Sequence, residues 1–167
     1  ASLAGLAITG AAAAQAGPGG AVRSQAQGAK ITPRFPVVDV HNHAYWLGHN
    51  PRKMDENMDR NGIERTWLLS WEVPDDEIAP EYFASLNPLG VGIPFADVVR
   101  QCEMYPDRFV PAYAIDPRRP YAREKLRSAV AIHGVRVYGE LKLRANYDDP
   151  DFIAMFRLCG DLGLPVI

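Results

Sequence analysis

The sequence is short of the residues that cross-link a chain, with only two cysteines, Cys102 and Cys159, in 167 residues. A disulfide scaffold uses a higher density in a shorter chain, and neither cysteine has a partner at zinc-ribbon spacing, so both architectures are excluded. Both are expected to be buried structural residues on non-adjacent helices. Charge of one sign is not in excess, since 18 Lys and Arg face 20 Asp and Glu for a formal net charge of -2. Nucleic-acid binding wants a clustered basic face. Here the basic residues are scattered and Arg118-Arg119 is too short a run to make one, so no nucleic-acid partner is expected. Long apolar runs are missing too. The apolar stretch Ala1 to Ala16 is too short and too rich in Ala and Gly to span a bilayer, and no membrane partner is expected for the mature protein.

What is present suits a soluble globular domain, with 47% apolar and 23% charged residues. The first residues differ in kind. Ala1 to Ala16 is small, apolar and uncharged, and Ala14-Gln15-Ala16 fits the small-x-small rule for a signal-peptidase site. The segment resembles the tail of a bacterial twin-arginine leader, so residues 1–16 read as a signal-peptide remnant and the protein as exported, periplasmic or extracellular. Residues 17–34, rich in Gly, Gln, Ser and Ala, read as a flexible linker.

From Phe35 the texture changes. Val37-Val38-Asp39-Val40-His41 is a short β-branched run opened by Pro36 and reads as a strand. Met54 and Met58 stand one helical turn apart before a stop at Gly62. Thr66 to Leu69 is a second strand, and a breaker-rich loop holding Pro74, Pro80, Pro88, Gly90 and Gly92 follows. Pro94 opens a helix with Phe95, Val98, Val99 and Cys102 on one face. Phe109 to Ile115 is a third strand, although Pro111 cannot donate to a ladder. Pro120 precedes a helix carrying Ala122, Leu126, Ala129 and Val130, stopped at Gly134. Val135 to Leu143 is a fourth strand. Asp149-Pro150 caps a helix carrying Phe152, Phe156 and Cys159 to Gly163, and Leu164 to Ile167 begins a fifth strand.

Strand then helix, repeated, implies a parallel sheet with right-handed crossovers. A dinucleotide-binding sheet would place a Gly-rich turn after its first strand. The turn here is His41-Asn42-His43-Ala44-Tyr45-Trp46, which favours the closed barrel. A whole barrel takes about 250 residues, so residues 35–167 are expected to form the N-terminal half of a (β/α)8 TIM barrel, about four and a half units.

The chemistry concentrates in Asp39-Val40-His41-Asn42-His43. Residues two apart on a strand share a face, so His41 and His43 point the same way. At the C-terminal mouth of a barrel that way is inward, where catalytic groups collect. Two imidazoles there suit one divalent ion, Zn most readily, with Mn, Fe or Ni as alternatives.

Val38-Asp39-Val40-His41-Asn42-His43 resembles the first-strand signature of the amidohydrolase superfamily, nearest to the amidohydrolase-related group that includes aminocarboxymuconate-semialdehyde decarboxylase-like enzymes. Met58-Asp59-Arg60-Asn61-Gly62-Ile63, Asp107-Arg108-Phe109-Val110-Pro111, the segment Gly134 to Leu143 and Leu162-Gly163-Leu164-Pro165-Val166-Ile167 are similar to later stretches of that group. The resemblance implies two histidine ligands from the first strand, further ligands from strands four, five or six, and a catalytic aspartate from strand eight. The strand-five histidine would be expected within a residue or two after Ile167. Family members also use a carboxylated Lys or a Glu on strand four, and Tyr138-Gly139-Glu140-Leu141-Lys142-Leu143 permits either.

Alternation along that strand puts Tyr138, Glu140 and Lys142 on one side. Glu140 is the preferred third ligand, with Lys142 as its charge partner or a substrate contact; a Glu–Lys pair filling the barrel floor is the alternative. Asp39 is expected to orient a histidine ring from behind. Trp46, Trp71, Glu72, Asp116 and Arg144 follow strand ends and are candidates for the pocket rim, while His49 and His133 should face solvent. The function this implies is that of a metal-dependent hydrolase, in which a metal-activated water attacks an amide, lactone or ester of a small-molecule substrate. The alternatives are a metal-dependent decarboxylase of the same superfamily and a non-catalytic truncated barrel.

Overall fold

A computed structural model describes residues 30–46, 49–72 and 92–167. The leader at 1–16, most of the linker at 17–34 and the breaker-rich loop up to residue 91 lie outside these. The last residues of the linker dock on the fold, since the Ile31 N–H donates to the Arg60 carbonyl at 2.9 Å.

Four strands alternate with four helices. They are β1 (Val37–Asn42), α1 (Pro51–Asn61), β2 (Ile63–Leu69), α2 (Phe95–Met104), β3 (Phe109–Tyr113), α3 (Ala122–His133), β4 (Val137–Tyr138) and α4 (Pro150–Leu162). All neighbouring strands pair in parallel, in the order β1-β2-β3-β4. That order excludes the doubly wound sheet, whose chain reverses direction around its first strand. A sequential parallel order with helices on the outside is the winding of a barrel, and the sheet curls as half of one. A fifth strand starts where expected, with Val166 bridged in parallel to Tyr138.

The helix ends follow local chemistry. Asn50 caps α1 by accepting from the Lys53 N–H, Asp149 caps α4 by accepting from the Asp151 N–H, and each is followed by Pro at the first helical position. Gly62, Gly134 and Gly163 close α1, α3 and α4 in the left-handed conformation, which costs glycine least. Arg108, just before β3, bridges Asp55 at 2.8 Å and Asp59 at 2.9 Å, tying α1 to the third strand's entry.

Strand alternation divides the core. Leu69, Ala112 and Val137 form a small inner cluster with Trp67 against it. Leu68, Phe109 and Val98 pack outward with Met54 and Met58 of α1. Tyr113 and Tyr138 pack outward with Leu126, Met155 and Leu158 of α3 and α4. Each of these large side chains contributes about 1.5–3 kcal/mol on burial. Among the cysteines, Cys159 is buried and Cys102 only half-buried, and both are free thiols.

One sequence expectation is corrected here. The fourth strand does not run from Val135 to Leu143; its regular ladder is Val137–Tyr138, and beyond it, among the described residues, only the Gly139 N–H to the Tyr113 carbonyl and the Leu141 N–H to the Ile167 carbonyl continue the pairing. Gly139 takes φ +134°, and a Cβ on it would stand 2.3 Å from the Ile167 carbonyl oxygen. The two-residue alternation therefore resets at Gly139. Tyr138 faces the helices, its hydroxyl donating to the Ile115 carbonyl at 2.7 Å, and does not share a side with Glu140.

Candidate metal centre

Three strand ends converge on one point at the C-terminal edge of the sheet. β1 delivers His41 and, just past its end, His43; β2 ends at Leu69; and the chain leaving β4 delivers Glu140. The Nε2 atoms of His41 and His43 each lie 3.3 Å from Glu140 Oε2. The two rings meet edge to face at 86°, with centroids 5.5 Å apart. One nitrogen or oxygen from each residue falls within 4.8 Å of the other two. Their side-chain exposure differs, at 48% for His41, 11% for His43 and 10% for Glu140.

The ring of His43 is oriented by a main-chain atom. Its Nδ1 lies 2.9 Å from the Leu69 carbonyl oxygen, which can only accept, so Nδ1 carries the proton and donates. The lone pair is then on Nε2, facing Glu140. Asp39 takes a different part from the one expected. Its carboxylate accepts from the His41 backbone N–H and from the Asn42 side-chain amide, both at 3.1 Å. It shapes the turn out of β1 and touches neither imidazole, because the strand's end tightens onto its own backbone.

Glu140 Oε2 is buried without a hydrogen-bond partner. An anionic oxygen faced by a nitrogen lone pair is repulsive unless a positive charge lies between them. The donor set fits a divalent cation by composition, as two neutral imidazoles and a carboxylate suit zinc and its neighbours. The two histidine-to-glutamate distances also match, since bonds of about 2.05 Å at tetrahedral angles place ligand atoms about 3.3 Å apart.

The other carboxylate oxygen is engaged. Lys142 Nζ lies 2.5 Å from Glu140 Oε1 and 4.5 Å from the centre of the Trp71 ring. Burial alone would push the Glu140 carboxyl up, but the hydrogen bond and charge of His43 when its ring is protonated at low pH, together with those of Lys142, outweigh it and hold it at about 2. Trp46 extends the aromatic side of the site, 5.5 Å from the His43 ring and 5.9 Å from Trp71.

The remaining rim candidates lie in other contacts. Glu72 accepts from the Phe95 N–H at 3.0 Å and so caps α2; burial raises its pKa. Asp116 is gripped by Arg118 through Nε and Nη2, each at 2.9 Å, and Arg118 reaches the Arg144 carbonyl. These contacts clip the loop after β3 to the loop after β4. His49 and His133 are exposed. Sequence reasoning missed the Leu69 carbonyl and the buried Ser70 beside it, and no side-chain pattern could have flagged a main-chain acceptor.

No protein-family model and no curated protein sequence matches the chain. Solved structures do. An uncharacterised TIM-barrel protein from Bordetella bronchiseptica superposes with TM-score 0.54 at 17% identity, over 79% of this chain and 54% of that one. The fold is that of a partial TIM barrel. The 2,6-dihydroxybenzoate decarboxylase from Rhizobium gives TM-score 0.52 at 19% identity, over 78% of this chain and 48% of that one. A probable 2-pyrone-4,6-dicarboxylic acid hydrolase from Acinetobacter baumannii, with citric acid bound, gives 0.51 at 15% identity, over 79% and 48%. The chain thus spans about half the length of the structures it matches.

Proposed function

We propose that this partial barrel carries the metal-binding side of the active site of an amidohydrolase-type hydrolase, acting on an amide, lactone or ester. The observation that carries the reading is the buried, unpartnered Oε2 of Glu140 with two imidazole nitrogens 3.3 Å away. His41 Nε2, His43 Nε2 and Glu140 Oε2 would hold the cation, zinc for preference and manganese, iron or nickel as alternatives. When bound, such an ion supplies Lewis acidity and lowers the pKa of water toward neutrality.

The chain's own groups do the rest. The Leu69 carbonyl keeps the proton on His43 Nδ1 and the Nε2 lone pair inward. Lys142 neutralises the outer carboxylate oxygen and presents a positive charge beside Trp71. Trp46, partly exposed, offers ring surface against which a planar substrate can lie, with buried Trp71 packed behind it.

Decarboxylation of a conjugated acid is the second reading. It is favoured by the likeness to 2,6-dihydroxybenzoate decarboxylase and by the Lys142 ammonium at the rim, which suits a carboxylate substrate. The mature protein is placed in the periplasm or outside the cell on the Ala14-Gln15-Ala16 pattern, and an N-terminus mapped to Gly17 tests that.

Elemental analysis tests the metal. The reading expects about one equivalent of zinc or manganese in the purified chain, lost in the His41→Ala/His43→Ala double variant. Wild-type protein that takes up no metal sinks it in favour of a non-catalytic barrel. Screening esters, lactones and amides beside conjugated acids, with CO₂ release followed, separates hydrolase from decarboxylase.

A further inference from the structure

Ser70 is fully buried one residue past the end of β2 and belongs to none of the groups facing the cation site. Its backbone N–H donates to the Ala112 carbonyl at 3.4 Å. The next rung of a parallel ladder would send the Ala114 N–H to Ser70's own carbonyl. Instead the Ala114 N–H donates to Ser70 Oγ at 2.8 Å. The hydroxyl stands in for the main-chain acceptor because the chain is already turning away, with Trp71 bridged antiparallel to Ile93.

Ser70 is therefore held to β3 at two points, through its N–H and its hydroxyl. The peptide that carries the Ser70 N–H also carries the Leu69 carbonyl. A trans peptide sends these two groups in opposite directions. With the N–H fixed on β3, the carbonyl must point toward β1, where His43 Nδ1 meets it at 2.9 Å. From this geometry we infer that Ser70 is a positioning residue, whose hydroxyl locks the Leu69–Ser70 peptide so that His43 keeps its proton on Nδ1 and its Nε2 lone pair on the cation site.

The inference rests on the metal reading for its purpose, but its physical content is tested without metal. Nitrogen-15 correlation spectra of the metal-free full chain, recorded about two units above the ordinary histidine pKa of ~6.5, report which ring nitrogen carries the proton. Wild type should show His43 as the Nδ1–H form. Ser70→Ala should spread it over both forms and weaken zinc binding ~10–100-fold. Ser70→Cys keeps nearly the same shape with a poor acceptor. It should shift the ring in the same direction and supplies the measurement if the alanine variant does not fold.

Tyr138→Phe is the control for general destabilisation. It removes another buried hydrogen bond to main chain and should leave tautomer and affinity unchanged. An unaltered His43 in Ser70→Ala or Ser70→Cys overturns the inference, as does an equal shift in Tyr138→Phe. Wild type with the Nδ1–H form but no zinc uptake sinks the metal reading and leaves Ser70's role standing. Zinc uptake with an unaltered ring in the Ser70 variants sinks the role of Ser70 alone.

Discussion

Lys142 sits on one oxygen of Glu140 and the two imidazoles face the other: Nζ to Oε1 is 2.5 Å, and each Nε2 to Oε2 is 3.3 Å. The carboxylate is thereby divided between the Lys142 ammonium and the two imidazoles, and its ionisation is tied to folding.

That tie has a sign. Glu140 is held at about 2 in the folded chain against an ordinary 4.5, so folding favours its ionised form. The stability it adds is present above pH 4.5 and is lost as pH falls from there toward 2. In metal-free protein, the stability difference between wild type and Glu140→Gln should shrink across that window, measured by urea unfolding. A difference that stays constant from pH 4.5 to 2.5 contradicts the arrangement.

The two histidines should separate in stability while agreeing in metal binding. His43→Ala strands the buried Leu69 carbonyl and should cost about 1–3 kcal/mol in the metal-free chain. His41 is half-exposed, and His41→Ala should fall within about 0.5 kcal/mol of wild type. Each variant alone should lose the metal, as read by calorimetric titration with zinc after EDTA treatment.

Gly139 is where the fourth strand turns Glu140 into the site. At φ +134°, with the Ile167 oxygen 2.3 Å from where a Cβ would stand, Gly139→Ala strains the backbone and pushes on the start of the fifth strand. The expected loss is about 2–3 kcal/mol, together with weakened zinc binding. Thermal unfolding and metal titration check the two effects separately.

The thiols should be slow to react. Burial pushes Cys102 up to about 12, with the charge of Glu103 adding to it, and pushes Cys159 up to about 11. Because the thiolate is the nucleophile, both should resist a disulfide reagent at pH 8 in native protein and react at once in denaturant. Prompt native labelling of either cysteine contradicts its packing.

The elements were legible wherever local chemistry fixes them. Asn50-Pro51 and Asp149-Pro150 start helices, and Gly62, Gly134 and Gly163 end them, because caps depend on neighbours within a few residues. His41 and His43 stood out as a pair because a two-residue spacing is itself a statement about strand geometry. The contacts of Asp39 are not legible, since its carboxylate could reach either a ring behind it or the backbone ahead, and sequence does not rank those. The end of the fourth strand is not legible, because apolar alternation continues past Gly139 although the regular ladder does not.

By itself the sequence determined the βα rhythm, the helix boundaries and the presence of two imidazoles at the end of the first strand. All of these arise from interactions between residues close along the chain. Only the tertiary structure decided that the strands follow in sequential order, that Glu140 crosses from the fourth strand to meet His41 and His43, and that a carbonyl of the second strand sets the tautomer of His43. Those are contacts between residues from 26 to about 100 positions apart. Which of them form depends on how the sheet curls, and hydrophobic periodicity leaves that open.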